Sequence, residues 1–183
     1  MGKIDDLADL YERHVCGSWQ RTLAGAQRVV FVVYDKENER SLRARTSDFE
    51  QRTVHGKHAW NECDCTAFFA SWMAADEYRE AYFEQPDDLA LKLDGEFLDW
   101  VADKVRTRLQ AADDNTVVAL TGLGALYPFV HVHVLIRAVE PDIKGRLLVF
   151  FPGSKNDNNY RLLDARDGFH YLGTSITLQG GAA

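Results

Sequence analysis

The sequence has little cysteine: Cys16, Cys63 and Cys65 are the three thiols in 183 residues. So few, in odd number, leave no room for a disulfide scaffold. With a polar opening stretch, MGKIDDLADL, where a secretory signal would be apolar, they point to reduced thiols in a cytoplasm. No apolar run approaches the ~20 residues of a membrane-spanning helix, so no membrane partner is expected. Positive charge is also short. Lys and Arg total 21 against 28 Asp and Glu, a formal −7. Affinity for nucleic acid comes from cations that neutralise phosphates, so strong direct DNA binding is not expected. Two basic clusters, Arg40/Arg43/Arg45 and Lys104/Arg106/Arg108, read as solvated helix faces. Repeats, linkers and low-complexity tracts are absent. That gives one domain over residues 1–183, with 176–183 as a frayed tail.

Motifs of chemistry are missing too. TGLGALYPF sets two glycines before a helix but lacks the Gly-Lys-Ser/Thr of a phosphate-binding loop and the spacing of a dinucleotide fingerprint. No Gly-x-Ser-x-Gly elbow supplies a nucleophile. Cys63-x-Cys65 is too tight for the usual zinc spacing, and one of the pair is expected to face the core and the other not. His131 and His133 lie two apart on an expected helix, so they are expected to face different directions, each without a partner. No catalytic residue, cofactor or metal is therefore assigned.

What is present is a foldable pattern. Hydrophobic residues make up 46 %. Helices are expected over 4–22, 37–54, 66–84, 88–111 and 125–139, from apolar residues recurring every three or four positions. Strands are expected over 28–35, 58–64, 116–121, 146–151 and 169–177, with a short helical turn at 160–164. The run RVVFVVYD is apolar on both faces, as a covered strand must be. Strands alternating with helices give an α/β class with a mainly parallel sheet of about five strands.

In such sheets ligands sit outside the carboxyl ends of the strands. An enzyme or nucleotide- or metal-dependent sensor would therefore draw on Asp35, Asp64, Gly122, Gly124, Asp157 and Asn159. Asp35 and Asp64 would share a hard cation only if their strands were neighbours. The competing site is a protein interface. DEYREAYFEQP (76–86) mixes aromatics with charges, and Tyr78, Arg79, Tyr82 and Phe83 are candidate contacts, since Tyr and Arg dominate interface energetics. The loop holding Asn158, Asn159 and Arg161 comes second. The Asp164–Gly168 tract is expected to be structural, with Arg166 paired to a carboxylate.

Four stretches taken together resemble the BrxB family of BREX phage-exclusion systems. They are RVVFVVYDKENERSLRARTSDFE (28–50), FFASWMAADEYREAYFEQP (68–86), TGLGALYPFV (121–130) and GRLLVFFPGSKNDNNYRLLDARDGFHYL (145–172). The likeness runs from about residue 3 to 176 and is most specific in the last stretch. Phe169 stands where the family pattern suggests Trp, and histidine is richer than expected at 131–133. The resemblance implies a setting rather than a chemistry. BREX systems mark host DNA by methylation and block unmodified phage, and their recognised activities sit on other subunits: a methyltransferase, an ATPase and the phosphatase-like PglZ. A small, non-catalytic adaptor bound to another subunit, PglZ first, is the function the resemblance implies.

Overall fold

The computed structural model describes residues 2–178. In chain order the elements are α1 (Lys3–Val15), β1 (Val29–Tyr34), α2 (Glu39–Arg43), α3 (Thr46–His55), β2 (Ala59–Asp64), α4 (Phe68–Ala74), α5 (Arg79–Glu84) and α6 (Ala90–Lys92). They continue with α7 (Leu98–Ala111), β3 (Thr116–Thr121), α8 (Val132–Val139), β4 (Arg146–Asn156), β5 (Asn159–Leu162), β6 (Phe169–His170) and β7 (Thr174–Ile176). The expected α/β class holds. Five strands form a parallel sheet in the order β2-β3-β4-β1-β7.

Alternation along the central strands explains the layers. Phe31, Val33, Val118, Leu120, Val149 and Phe151 face the helices α4, α7 and α8, which present Trp72, Val105, Leu135 and Ile136. Val30, Val32, Val117, Leu148 and Phe150 face α1 and α3 across the sheet, where Leu7, Tyr11 and Phe49 fill the space. β1 and β4 are thus buried on both sides, as strand runs apolar on both faces require. β2 lies at the edge with mixed burial, as its polar sequence suggested.

The helices are shorter than their periodicity suggests. α1 stops at Val15, and the expected 37–54 helix divides into α2 and α3 around Ala44–Arg45. The 66–84 helix breaks where the Asp76 carboxylate accepts the Tyr78 backbone N–H at 2.8 Å, an Asx-type turn that competes with the helix. The 88–111 helix starts with a 3-10 turn and carries a π-turn over Leu93–Phe97, where Asp94 and Gly95 are poor helix formers. The segment expected to form a helix over 125–139 opens on the end of a 3-10 turn, Leu123–Leu126, and is α-helical only from Val132, past Pro128.

The largest difference is at the C-terminus. β4 overruns the sheet to Asn156 and pairs antiparallel with β5, which pairs with β6. Tyr160–Leu162 is therefore strand, not a helical turn. Asp157 turns the hairpin at φ 51°, a left-handed conformation that a short polar side chain tolerates. The expected 169–177 strand divides into β6 and β7. Ile176, placed at the start of a frayed tail, is buried in β7; positions 179–183 of that tail lie outside the described residues.

Candidate functional site

The connection after β1 packs on the α1/α3 face, while α4, α7 and α8 pack on the other. β1 and β4 are neighbours, so the crevice outside their carboxyl ends is the sheet's switch point. A cleft of about 280 Å³ lies there, lined by Lys3, Tyr34, Asp35, Asn38 and Ser154. It is already internally paired. Lys3 Nζ sits 3.0 Å from Asp35, and the Tyr34 hydroxyl donates to Glu39 at 2.5 Å. Burial raises the Tyr34 hydroxyl far above the ordinary phenol range, so it stays protonated.

The other rim residues do not converge on that cleft. β3 and β4 separate β2 from β1, so Asp35 and Asp64 are not neighbours and the shared-cation reading fails. Asp64 is used locally: its Oδ1 accepts the Thr66 backbone N–H at 2.9 Å and the Thr66 hydroxyl at 2.5 Å. Gly122, at φ 71°, packs against that turn, where a Cβ would lie 2.8 Å from Asp64 Oδ1 and collide with Thr66. Gly124 packs near Pro152, and Asp157 sits exposed at the hairpin tip.

Both Cys63 and Cys65 are buried. This corrects the expectation that one points outward, because residues two apart share a strand face. The Cys63 thiol and burial together push the Cys65 thiol well up, which makes it a poor nucleophile. His131 and His133 are not directed apart. His131 precedes the helical geometry of α8, and the two rings come to 5.8 Å. His133 stacks on Phe169 at 5.3 Å, and burial lowers its basicity. The basic clusters are paired only in part: Arg43 binds Glu39, Arg45 binds Asp5, and Arg106 binds Asp103 and Asp142, while Arg40, Lys104 and Arg108 are exposed to solvent and in no ion pair among the described residues.

The segment 76–96 behaves differently. None of the four tryptophans is exposed, yet Tyr78 is 60 % exposed, Phe83 65 % and Leu91 90 %. Asp76 sets this up by breaking the helix before Tyr78, and Lys92 holds Asp76 from below at 3.1 Å. Tyr82 is half-buried against the core beneath the Lys92 ammonium, 5.3 Å from the ring centroid, so it supports the face rather than presenting it. Arg79 is exposed and donates to the Ala74 carbonyl at 2.8 Å. The segment holds eight acidic and two basic residues, a formal −6 of the chain's −7.

At the hairpin, Asn158 is exposed and its carbonyl accepts the Tyr171 N–H at 3.2 Å. The Asn159 side chain packs where a Cβ on Gly168 would stand. Asp164 pairs with Lys36, which ties the tract to the β1–α2 turn. Arg161 and Arg166 are exposed and in no ion pair among the described residues. The expected pairing of Arg166 therefore fails, and only the flanking Asp164 and Gly168 are structural.

One grouping was invisible in sequence. Glu12, Cys16 and His55 have donor atoms within 4.8 Å of one another. They come from the ends of α1 and α3, about forty positions apart. The Glu12–Cys16 helical spacing was a partial signal, and no sequence rule supplies the histidine.

Compared with known proteins, the chain matches the family model described as BREX protein BrxB over residues 71–173, more than half its length. The matched region includes both the acidic aromatic segment and the hairpin. No curated protein and no solved structure matches.

Proposed function

The chain belongs to the BrxB family of BREX proteins, components of phage-defence systems, and we propose that it acts there as a non-catalytic adaptor docking a PglZ-like protein against the acidic aromatic face of α5 and α6. The observation behind this is the exposure of Tyr78, Phe83 and Leu91 inside a segment of formal charge −6. Exposed aromatics ringed by charge have the anatomy of an interface centre and its rim. The partner's matching surface carries Lys and Arg around an apolar pocket, because complementary charge steers association and sets register. Arg79 lies on the same face, and Asn158, Asn159 and Arg161 on the hairpin form a second contact. The complex buries at least about 1,000 Å².

The test is co-expression of the tagged chain with the other proteins of its system. A stoichiometric complex with the PglZ-like protein is expected, weakened as salt rises and lost in Y78A/F83A. A chain that elutes alone at low salt overturns the proposal.

The cleft between β1 and β4 favours a second reading, a small-molecule sensor. It sits at the switch point where α/β sheets hold ligands. Asp35 and Ser154 would then contact the ligand, and Asp35→Ala would abolish a thermal shift produced by a nucleotide panel. No shift with any nucleotide removes that reading.

A further inference from the structure

We infer that Glu12, Cys16 and His55 form a binding site for a zinc-class dication that staples the end of α1 to the end of α3. It is independent of the docking face. The three donors are a carboxylate, a thiol and an imidazole, all within 4.8 Å of one another. Zinc bond lengths of about 2.0–2.3 Å in a tetrahedron demand donor separations of roughly 3.3–3.7 Å. His55 Nδ1 and Glu12 Oε1 already stand 3.0 Å apart, so small side-chain rotations reach that geometry.

The fold prepares the place in three ways. Glu12 and Cys16 are four apart and share one face at the end of α1. Gly56, next to His55, leaves space for the thiol: a Cβ there would lie 3.2 Å from Cys16 Sγ. Both helices end here, and helix C-termini carry partial negative charge that favours a cation.

Arg52 is the opposing charge. Its guanidinium holds Glu12 Oε2 at 2.5 Å and Asp9 at 2.7 Å. That contact occupies Oε2, leaves Oε1 for the metal and orients the carboxylate, as an outer partner does. Asp9 and Glu12 outnumber the one arginine they contact, and a bound metal displaces the Cys16 proton to gain a thiolate ligand. A thiolate ligand selects zinc, copper or cobalt over magnesium and calcium. The protein supplies three ligands, which leaves a fourth position to water or to a donor from a partner.

The experiment is a titration of the full-length, reduced chain with Co²⁺, read by the thiolate-to-cobalt charge-transfer band and the intensity of the tetrahedral d–d bands, followed by displacement with Zn²⁺. One equivalent of cobalt is expected to develop the band and zinc to bleach it. Cys16→Ser should abolish the band. Glu12→Gln and His55→Asn should each weaken cobalt by at least about tenfold, the size of effect produced by losing even an outer partner. Metal-free melting of each variant checks the fold, and zinc should raise the unfolding midpoint of the native chain but not of C16S. No band at one equivalent, or a band that survives C16S and vanishes in C63S, overturns the site.

Discussion

The acidic segment 76–96 and the C-terminal hairpin both stand outside the regular layers, and both are rich in aromatic residues, yet they use them in opposite ways. In the hairpin, Tyr160 is fully buried, with its ring centroid 4.4 Å from Phe31 and 5.6 Å from Phe169. Phe151 and Tyr171 complete a cluster that joins the hairpin to the central strand. In the acidic segment, Tyr78 and Phe83 point away from the core. An aromatic side chain on a strand that pairs with the sheet is carried inward. After the Asx break the short helix α5 sends only Tyr82 back to the core and leaves Tyr78 and Phe83 outside. Both regions carry aromatics, and backbone context decides whether those rings enter the core or stay outside it.

Substitutions can break this comparison. The largest effect is expected from Tyr160→Ala, which should cost about 3–5 kcal/mol, as large-to-small changes in aromatic cores do. Urea unfolding would show a lower midpoint with an unchanged slope; a loss under about 1 kcal/mol would mean the hairpin is not joined to the core. Next comes Y78A/F83A. Stability should move by no more than about 0.5 kcal/mol per site, while affinity for the PglZ-like partner falls by at least about 2 kcal/mol, roughly thirtyfold, by calorimetry. A double variant that unfolds instead would place those rings in the core after all.

Reversing charge with Glu80→Lys and Glu84→Lys should slow association several-fold and flatten its salt dependence, with little change in dissociation. Stopped-flow rates at two salt concentrations decide this. The smallest effects sharpen the hairpin side. Arg161→Ala and Arg166→Ala should each leave stability within about 0.5 kcal/mol, since both are exposed and neither is in an ion pair among the described residues. Tyr160→Phe should change it by less than about 1 kcal/mol, because the buried hydroxyl makes no hydrogen bond among the described residues.

Much of the fold was legible. β1 and β3 fall nearly where their β-branched runs begin and end, because a covered parallel strand must be apolar on both faces. The hairpin was not, because Asn and Asp favour turns of every kind, and whether Tyr160 extends as a strand depends on the overrun of β4 that it pairs with. Helix breaks were missed for a related reason: periodicity reports which residues face inward, whereas Asp76 and Gly95 act on the backbone. Of the candidate sites, the exposure of Tyr78 and Phe83 agrees with their choice as candidate contacts, but Tyr82 could not be told from them without the tertiary position of Lys92. The rim residues shared a strand-end label, and only strand order could show that Asp64 belongs to a different corner from Asp35. The Glu12–Cys16–His55 cluster depends on how α1 lies on α3, which no local pattern encodes.

The placement of β1 has a consequence for the chain's birth. Its hydrogen-bonding neighbours are β4 on one side and β7 on the other, so Val29 waits for Leu147 and Val30 for Thr174. At roughly 5–20 residues per second, the 118 positions between Val29 and Leu147 take roughly 6–24 s to synthesise. For that interval Val29–Tyr34, six apolar residues with both edges bare, belongs to a nascent chain that has no sheet to join, the kind of segment on which aggregation starts. The hazard is timed by translation, and it passes only when β4 and then β7 have left the ribosome.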